Sequence, residues 1–258
     1  MNYNNLPSMP QPQATQAVPQ QSEWALSTYM SQVMRKVYVK MFLGLLVTAL
    51  TSYIVLTNQT ILMTLLQSRA LLIGLCVGEL ALVFALSMAI NKLNPVVATI
   101  MFYAYAVLNG VTLTPIFLVY TMSSIALTFF VTAGVFLAMK NTFFVTAGVF
   151  LAMSIYGYTT KSDLTKFGTY MVMALIGLIV CSIINIFWAN SVMDWIISFA
   201  GVAIFVGLTA WDTQKIKQMA QETDEVNAGK LATIGALSLY LDFINLFLYL
   251  LRFLGNRN

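Results

Sequence analysis

Histidine is absent from the 258-residue chain. Its absence removes the usual charge switch near neutral pH, any Ser-His-Asp triad and any His-based zinc site. There is no H-E-x-x-H motif, which disfavours an intramembrane protease; no enzyme is expected. Cysteine is scarce too: Cys76 and Cys181 each sit inside an apolar run. They make no disulfide framework and are expected to be small buried hydrophobes. Charged residues are only 9% of the chain, against about 25% in soluble domains. The net charge of +4 does not suggest nucleic-acid binding.

What remains is apolar. Hydrophobic residues make up 59% of the chain, more than a water-soluble fold of this size can keep from water, so the lipid bilayer is the expected partner. Lipid offers backbone groups no hydrogen-bond partners, so only helices or closed barrels span it. The apolar runs are continuous and about 20 residues long, which fits helices rather than alternating barrel strands. Seven runs stand out. They cover 41–57, 70–90, 95–119, a stretch within 124–156, 168–188, 192–212 and 231–251. The fold class is therefore an all-α integral membrane protein with seven transmembrane helices, occupying residues 23–258. Residues 1–22, rich in Gln, Pro, Asn and Ser without Lys or Arg, do not resemble a signal peptide and are expected to form a disordered cytoplasmic tail. Residues 23–40 are expected as a polar lead-in.

Basic residues set the expected orientation. With the N-terminus in the cytoplasm, the inside segments hold Arg35, Lys36, Lys40, Lys92, Lys161, Lys166, Lys215, Lys217 and Lys230, nine in all. The outside segments hold Arg69, Arg252 and Arg257, which is three. The N-terminus is therefore expected inside and the C-terminus outside.

The fourth run contains an exact repeat. TFFVTAGVFLAM occupies 128–139 and again 142–153, separated by Lys140 and Asn141. As one helix the 33 residues from Ser124 to Tyr156 measure about 50 Å, against a hydrocarbon core of about 30 Å. A single copy spans about 18 Å, so two full crossings do not fit. One copy is expected to fill the span, with Lys140 near an interface, because a lysine at mid-membrane costs about 2.5–3.5 kcal/mol.

Ionisable residues inside spans are functional candidates. Glu79 lies in the second run, Asp212 at the end of the sixth and Asp242 halfway along the seventh. Asp242 has about ten apolar residues on either side and must pair, protonate or face water. Asp212 stands three residues before Lys215, so a helix-end aspartate paired with that lysine is an alternative. Glu79 has the alternative of a purely structural hydrogen-bonding role. Two carboxylates about 4 Å apart repel by about 4 kcal/mol at an effective dielectric of 20, so Asp212 and Asp242 would share a proton. Such a pair is a pH sensor without histidine. It is also a weak site for calcium, a hard cation that prefers more oxygens. Asn245, one turn from Asp242, can join the same polar network. Asn109 and Asn185 suit interhelical hydrogen bonds, and Gly74 with Gly78 suits close helix packing. No other cofactor is expected.

NGVTLTPIF (Asn109–Phe117), AWDTQKI in the sixth run and LYLDFINLFLYLLR near the C-terminus resemble the Bax inhibitor family, the transmembrane Bax inhibitor motif proteins, over residues 30–255. The resemblance implies seven helices with the C-terminal one central in the bundle. It implies a pH-sensitive calcium leak of the bacterial inner membrane, with Asp212 and Asp242 as sensor and Glu79 on the ion path. The family's basic partner for that glutamate corresponds to Lys92. Calcium is then a permeant or weakly bound ion, and a monomer is expected. Two further function classes remain open. One is an interaction protein acting on a membrane protease or on a stress or cell-death response, as some relatives do. The other is a proton-coupled transporter using the carboxylates as a relay, although no inverted repeat supports it. A retinal protein is disfavoured because the seventh run has no lysine.

Overall fold

The computed structural model describes residues 20–119 and 145–254. The described residues form eight helices and no strands. In chain order these are α1 (Gln20–Thr57), α2 (Gln59–Gln67), α3 (Arg69–Ala89), α4 (Pro95–Val119), α5 (Val145–Thr159), α6 (Thr165–Trp188), α7 (Ser191–Glu222) and α8 (Ala228–Leu254). Six of them, all but α2 and α5, are long and apolar enough to cross a bilayer. The second repeat copy enters α5 from Val145 onward. The first copy and Lys140 lie outside the described residues, as does most of the segment 1–22.

Two elements differ from the sequence expectation. The expected lead-in 23–40 is no separate segment: it continues without a break into the first apolar run as α1. Val33, Met34 and Val37 are buried, so this half of α1 has a core-facing stripe despite Arg35 and Lys36. Likewise the sixth run does not end at 212. Helix α7 carries on through Asp212 to Glu222, leaving a link of only 223–227 before α8. The extension is rich in helix formers, and its Ile216 and Ala220 are buried.

Small residues decide how closely the helices approach. On α1, Lys40, Gly44, Thr48 and Ser52 recur every four residues and so share one face. That face lies parallel to α4. The Thr48 hydroxyl donates to the Ala106 carbonyl at 2.9 Å, and the Ser52 hydroxyl to the Gly110 carbonyl at 2.6 Å. Gly44 leaves room for the Phe102 ring. On the antiparallel pair α7 and α8, Gly201 backs onto the Tyr249 ring and Gly235 onto Ile216, while Gly157 of α5 approaches the Ala210 carbonyl of α7. Gly74 and Gly78, expected at a packing interface, have nothing within 4 Å of where a side-chain methyl would stand. Both cysteines are exposed on helix surfaces rather than buried. These four residues correct the expectation for one reason. An apolar helix face looks the same in sequence whether it meets lipid or another helix.

The helix ends are tied by polar contacts. At one end the Tyr29 hydroxyl donates to the Thr223 carbonyl at 2.8 Å, Lys217 Nζ to the Tyr158 carbonyl at 2.8 Å and Lys230 Nζ to the Asn91 carbonyl at 3.0 Å. At the opposite end the Arg252 guanidinium pairs with the Asp194 carboxylate, which also accepts from Asn185 Nδ2 at 2.6 Å. Asn185 thus links α6 to α7, and the pair links α7 to α8. Both charged side chains keep about a quarter of their surface exposed. Arg252→Gln is therefore expected to cost only about 1 kcal/mol, read as a small loss of thermal stability in detergent.

The start of α6 has its own device. Asp163 Oδ1 accepts the Thr165 hydroxyl at 2.6 Å and the Thr165 amide at 2.9 Å. These bonds, the hydroxyl first, hold the exposed Asp163 carboxyl below the usual carboxylate range. A group lowered in the folded state contributes at neutral pH, and its contribution is lost as pH falls through the carboxylate range. Hydrogen-exchange protection at the first turn of α6 is expected to drop on acidification in the wild type and to be already reduced in Asp163→Ala at neutral pH.

Candidate functional site

Asp212 and Asp242 come to one region through the register of α7 and α8. With Gly201 against Tyr249 and Gly235 against Ile216, Asp212 lies level with Ser238, about one helical turn from Asp242. The Ser238 side chain lies within interaction range of the Asp212 carboxylate. Asp212 is half-buried and lines a cavity of about 440 Å³ at the end of the bundle where α7 meets α8. Lys215, Glu222, Lys230 and Ser238 share the wall. The Lys215 ammonium lies 4.8 Å from the centroid of the Trp211 ring, a cation–π contact, and its charge also acts on Asp212.

Asp242 sits deeper. It is 5% exposed, and its Oδ2 is buried without a hydrogen-bond partner among the described residues. The charge that acts on it is that of Asp212. A buried, incompletely satisfied carboxylate is costly, and its environment changes with whatever happens to the aspartate between it and the cavity. Asn245 does not share this network: its side-chain amide donates to the Leu241 carbonyl of its own helix at 2.8 Å.

Glu79 belongs to a different network. Its Oε1 accepts the Thr112 hydroxyl of α4 at 2.6 Å, with the Asn109 side chain also within interaction range. Asn109 Oδ1 accepts the Tyr240 hydroxyl of α8 at 3.1 Å, and the Tyr240 hydroxyl meets Thr48 Oγ1 of α1 at 2.6 Å. Four helices thus meet through one buried polar chain. Lys92 is not part of it. It lies thirteen residues beyond Glu79 in the turn after α3, about 20 Å along the axis. A third polar group joins Lys40, whose Nζ donates to the Thr99 hydroxyl at 2.8 Å and to the Thr233 hydroxyl at 2.7 Å.

Sequence reasoning did not single out Tyr240, Thr48, Thr112, Ser238 or the Lys40 group. The four-residue spacing of Lys40, Gly44, Thr48 and Ser52 was a usable signal for the α1 face. Tyr240 gave none, because an aromatic in an apolar run reads as packing. Among the described residues no cluster of three or more acidic, Cys or His side chains is placed to hold a metal. Two carboxylates, Asp212 on the cavity wall and Asp242 behind it, are too few for a tight calcium site.

An all-helical bundle with long apolar spans, a buried carboxylate and a cavity reaching its partner defines a multi-spanning helical membrane protein with an acidic site in its interior. The family model described as "Inhibitor of apoptosis-promoting Bax1" matches residues 30–142 and again 140–258. The two matches meet at 140–142, where the junction of the exact repeat stands. The chain is 46% identical over 235 residues to the inner membrane protein YbhL of Escherichia coli K12, covering 90% of this chain and 93% of that one. It is 43% identical to an uncharacterized protein of Borreliella burgdorferi, over 88% of this chain and 93% of that one. An uncharacterized membrane protein of Streptococcus pyogenes is 38% identical, over 89% and 94%. The chain belongs to the Bax inhibitor-1 family.

Proposed function

We propose that this protein is a pH-sensitive calcium leak channel of a bacterial inner membrane, with Asp212 and Asp242 as sensor. The observation that carries the reading is the placement of the pair. Asp212 faces a cavity open at one end of the bundle, and Asp242 lies one turn behind it, buried and incompletely hydrogen-bonded. With both carboxylates ionised, their repulsion pushes α7 and α8 apart; with a shared proton the two helices hold together. Lys215, Glu222 and Lys230 are the other charged groups around the cavity, and they set the field in which the pair ionises. Glu79, on the far side of α8, would then stand along the ion path.

The same reading has seven crossings, with α5 and residues preceding it completing the fourth. The N-terminus is inside, and α8 is central. Two thirds of the apolar window of α8 is buried, against 6% for α3 and 11% for α6, which supports a central α8. The contacts of Tyr29, Lys217 and Lys230 gather the basic helix ends on one side, which supports a cytoplasmic placement for that side. Inner-membrane residence is carried over from YbhL, whose name states it.

The test is calcium flux in proteoliposomes across pH 6 to 8 for Asp212→Asn and Asp242→Asn. Each variant is expected to flatten the wild-type pH profile. If both keep that profile, the sensor assignment is wrong.

A further inference from the structure

We infer that Tyr240 is the positioning residue that holds the Glu79 region closed, through a hydroxyl shared between α1 and α4. The inference rests on the leak reading above and adds to it a residue that does no ion binding itself.

Tyr240 is completely buried. Its ring is fixed by edge-on contacts with Phe102 at 5.8 Å and Tyr105 at 5.7 Å between centroids, and Gly44 of α1 leaves room beside it. The ring therefore has little freedom, and the hydroxyl is presented at one point in space. At that point two partners compete: Asn109 Oδ1 at 3.1 Å and Thr48 Oγ1 at 2.6 Å.

Tyr240 has one hydroxyl proton and so does Thr48. If Tyr240 donates to Asn109, the short contact to Thr48 requires Thr48 to donate to Tyr240. The Ala106 carbonyl, 2.9 Å from Thr48 Oγ1, then loses its side-chain donor. If Thr48 keeps that bond to Ala106, Tyr240 must donate to Thr48, and Asn109 Oδ1 is released. Thr48 Oγ1 also lies 3.1 Å from the Gly44 carbonyl of its own helix, so more acceptors than the two hydroxyl protons surround this point, and the Tyr240 proton goes either to Asn109 or to Thr48 on one rigid scaffold.

Asn109 is the step to the acid. Its amide nitrogen reaches the Tyr105 hydroxyl at 3.4 Å, and its side chain also faces Glu79. Thr112, one turn further along α4, donates to Glu79 at 2.6 Å. While Tyr240 holds Asn109 Oδ1, the amide is oriented with its donor end toward Tyr105 and Glu79. Release of Oδ1 frees the amide to turn, and loosens the α1–α4–α8 junction at the same point. The titratable groups facing Tyr240 are Glu79 and Tyr105. Asp242 points to Asp212 of α7 from another side of α8, so loss of the Tyr240 hydroxyl leaves the sensor itself in place.

Tyr240→Phe removes the oxygen and keeps the ring. Calcium entry into proteoliposomes is expected to rise at least threefold at every pH between 6 and 8, with the midpoint of the pH profile unchanged. Thr48→Val removes the other half of the same bond. The double variant Tyr240→Phe/Thr48→Val is expected to leak no more than the faster single variant, since both break one restraint. A wild-type rate in a Tyr240→Phe protein that is monodisperse and melts like the wild type overturns the inference. So does a shifted midpoint, or additive effects in the double variant, because either describes general loosening. If the wild type carries no calcium, the leak reading fails on its own. A second readout then decides this inference: Thr112→Cys in a Cys76→Ser/Cys181→Ser background, labelled with a water-soluble maleimide. Faster labelling when Tyr240→Phe is added upholds the restraint, and equal labelling overturns it.

Discussion

Gly110→Ala is expected to destabilise the protein by on the order of 3 kcal/mol. A methyl group at this position falls 2.6 Å from the Thr48 carbonyl oxygen and 2.8 Å from Thr51 Cβ. The first is backbone and cannot swing aside, so α1 and α4 must separate. Separation stretches the bond from the Ser52 hydroxyl to the Gly110 carbonyl, 2.6 Å long, and the neighbouring bond from Thr48 to Ala106. Overpacking contributes about 1–3 kcal/mol, and each weakened hydrogen bond adds about 1 kcal/mol. Gly78→Ala is the matched control: nothing lies within 4 Å of its added methyl, and the change is expected to be neutral or slightly stabilising. Thermal unfolding of the three proteins in one detergent checks both statements. Equal melting of Gly110→Ala and Gly78→Ala would show that α1 and α4 do not pack as described.

The second large effect has the opposite sign. Asp242→Leu is expected to stabilise the protein by about 1–3 kcal/mol while abolishing the pH dependence of calcium flux. Oδ2 of Asp242 is buried with no hydrogen-bond partner among the described residues, and an unsatisfied buried polar atom costs about that much. Leucine fills the site with no polar atom to satisfy, and it removes the repulsion with Asp212. Asp212→Leu is expected to gain less, because Asp212 reaches the cavity, with the Ser238 side chain and the Lys215 charge acting on it. Stability gained as function is lost is what a carboxylate kept for its titration should produce. A loss of stability in Asp242→Leu would mean that the carboxylate has a partner beyond those described.

Where the fold was legible, the signal was a clean apolar run with punctuation at both ends. The third run opens at Pro95, a residue suited to a helix start, and α4 begins there. Ser68 caps α3 through its bond to the Leu71 amide, and Asn190 caps α7 through the Val192 and Met193 amides. The misjudged ends lie where a helix continues past the apolar run on polar residues. Gln214 of α7 shows why. It is buried, accepts from the Leu164 amide at 2.8 Å and donates to the Ser162 carbonyl at 2.8 Å. In sequence it reads as the start of a loop; in the fold it fastens α7 to the link before α6.

The candidate site was legible in part for the same reason. A carboxylate in an apolar run stands out by its solvation cost, so Asp242, Asp212 and Glu79 could be picked from composition alone. Their surroundings could not. Ser238, Thr112, Thr48 and Tyr240 are weakly polar residues common in membrane helices, and only the register of α1, α4, α7 and α8 brings them to the acids. The register depends on glycines at 44, 110, 201 and 235, whose packing role differs from that of Gly74 and Gly78 although the residue type is the same.

The most direct test of the leak is calcium movement through the wild-type protein itself. Purified protein is reconstituted into liposomes holding a calcium-sensitive dye, and entry is followed at pH 6 and pH 8 beside protein-free liposomes at the same two values. The account predicts entry well above the protein-free rate at one pH or both, with rates that differ between the two by about tenfold, the change that 1.4 kcal/mol in the closed–open balance produces. Entry equal to that of protein-free liposomes at both pH values, or a rate above it that does not change with pH, would contradict it.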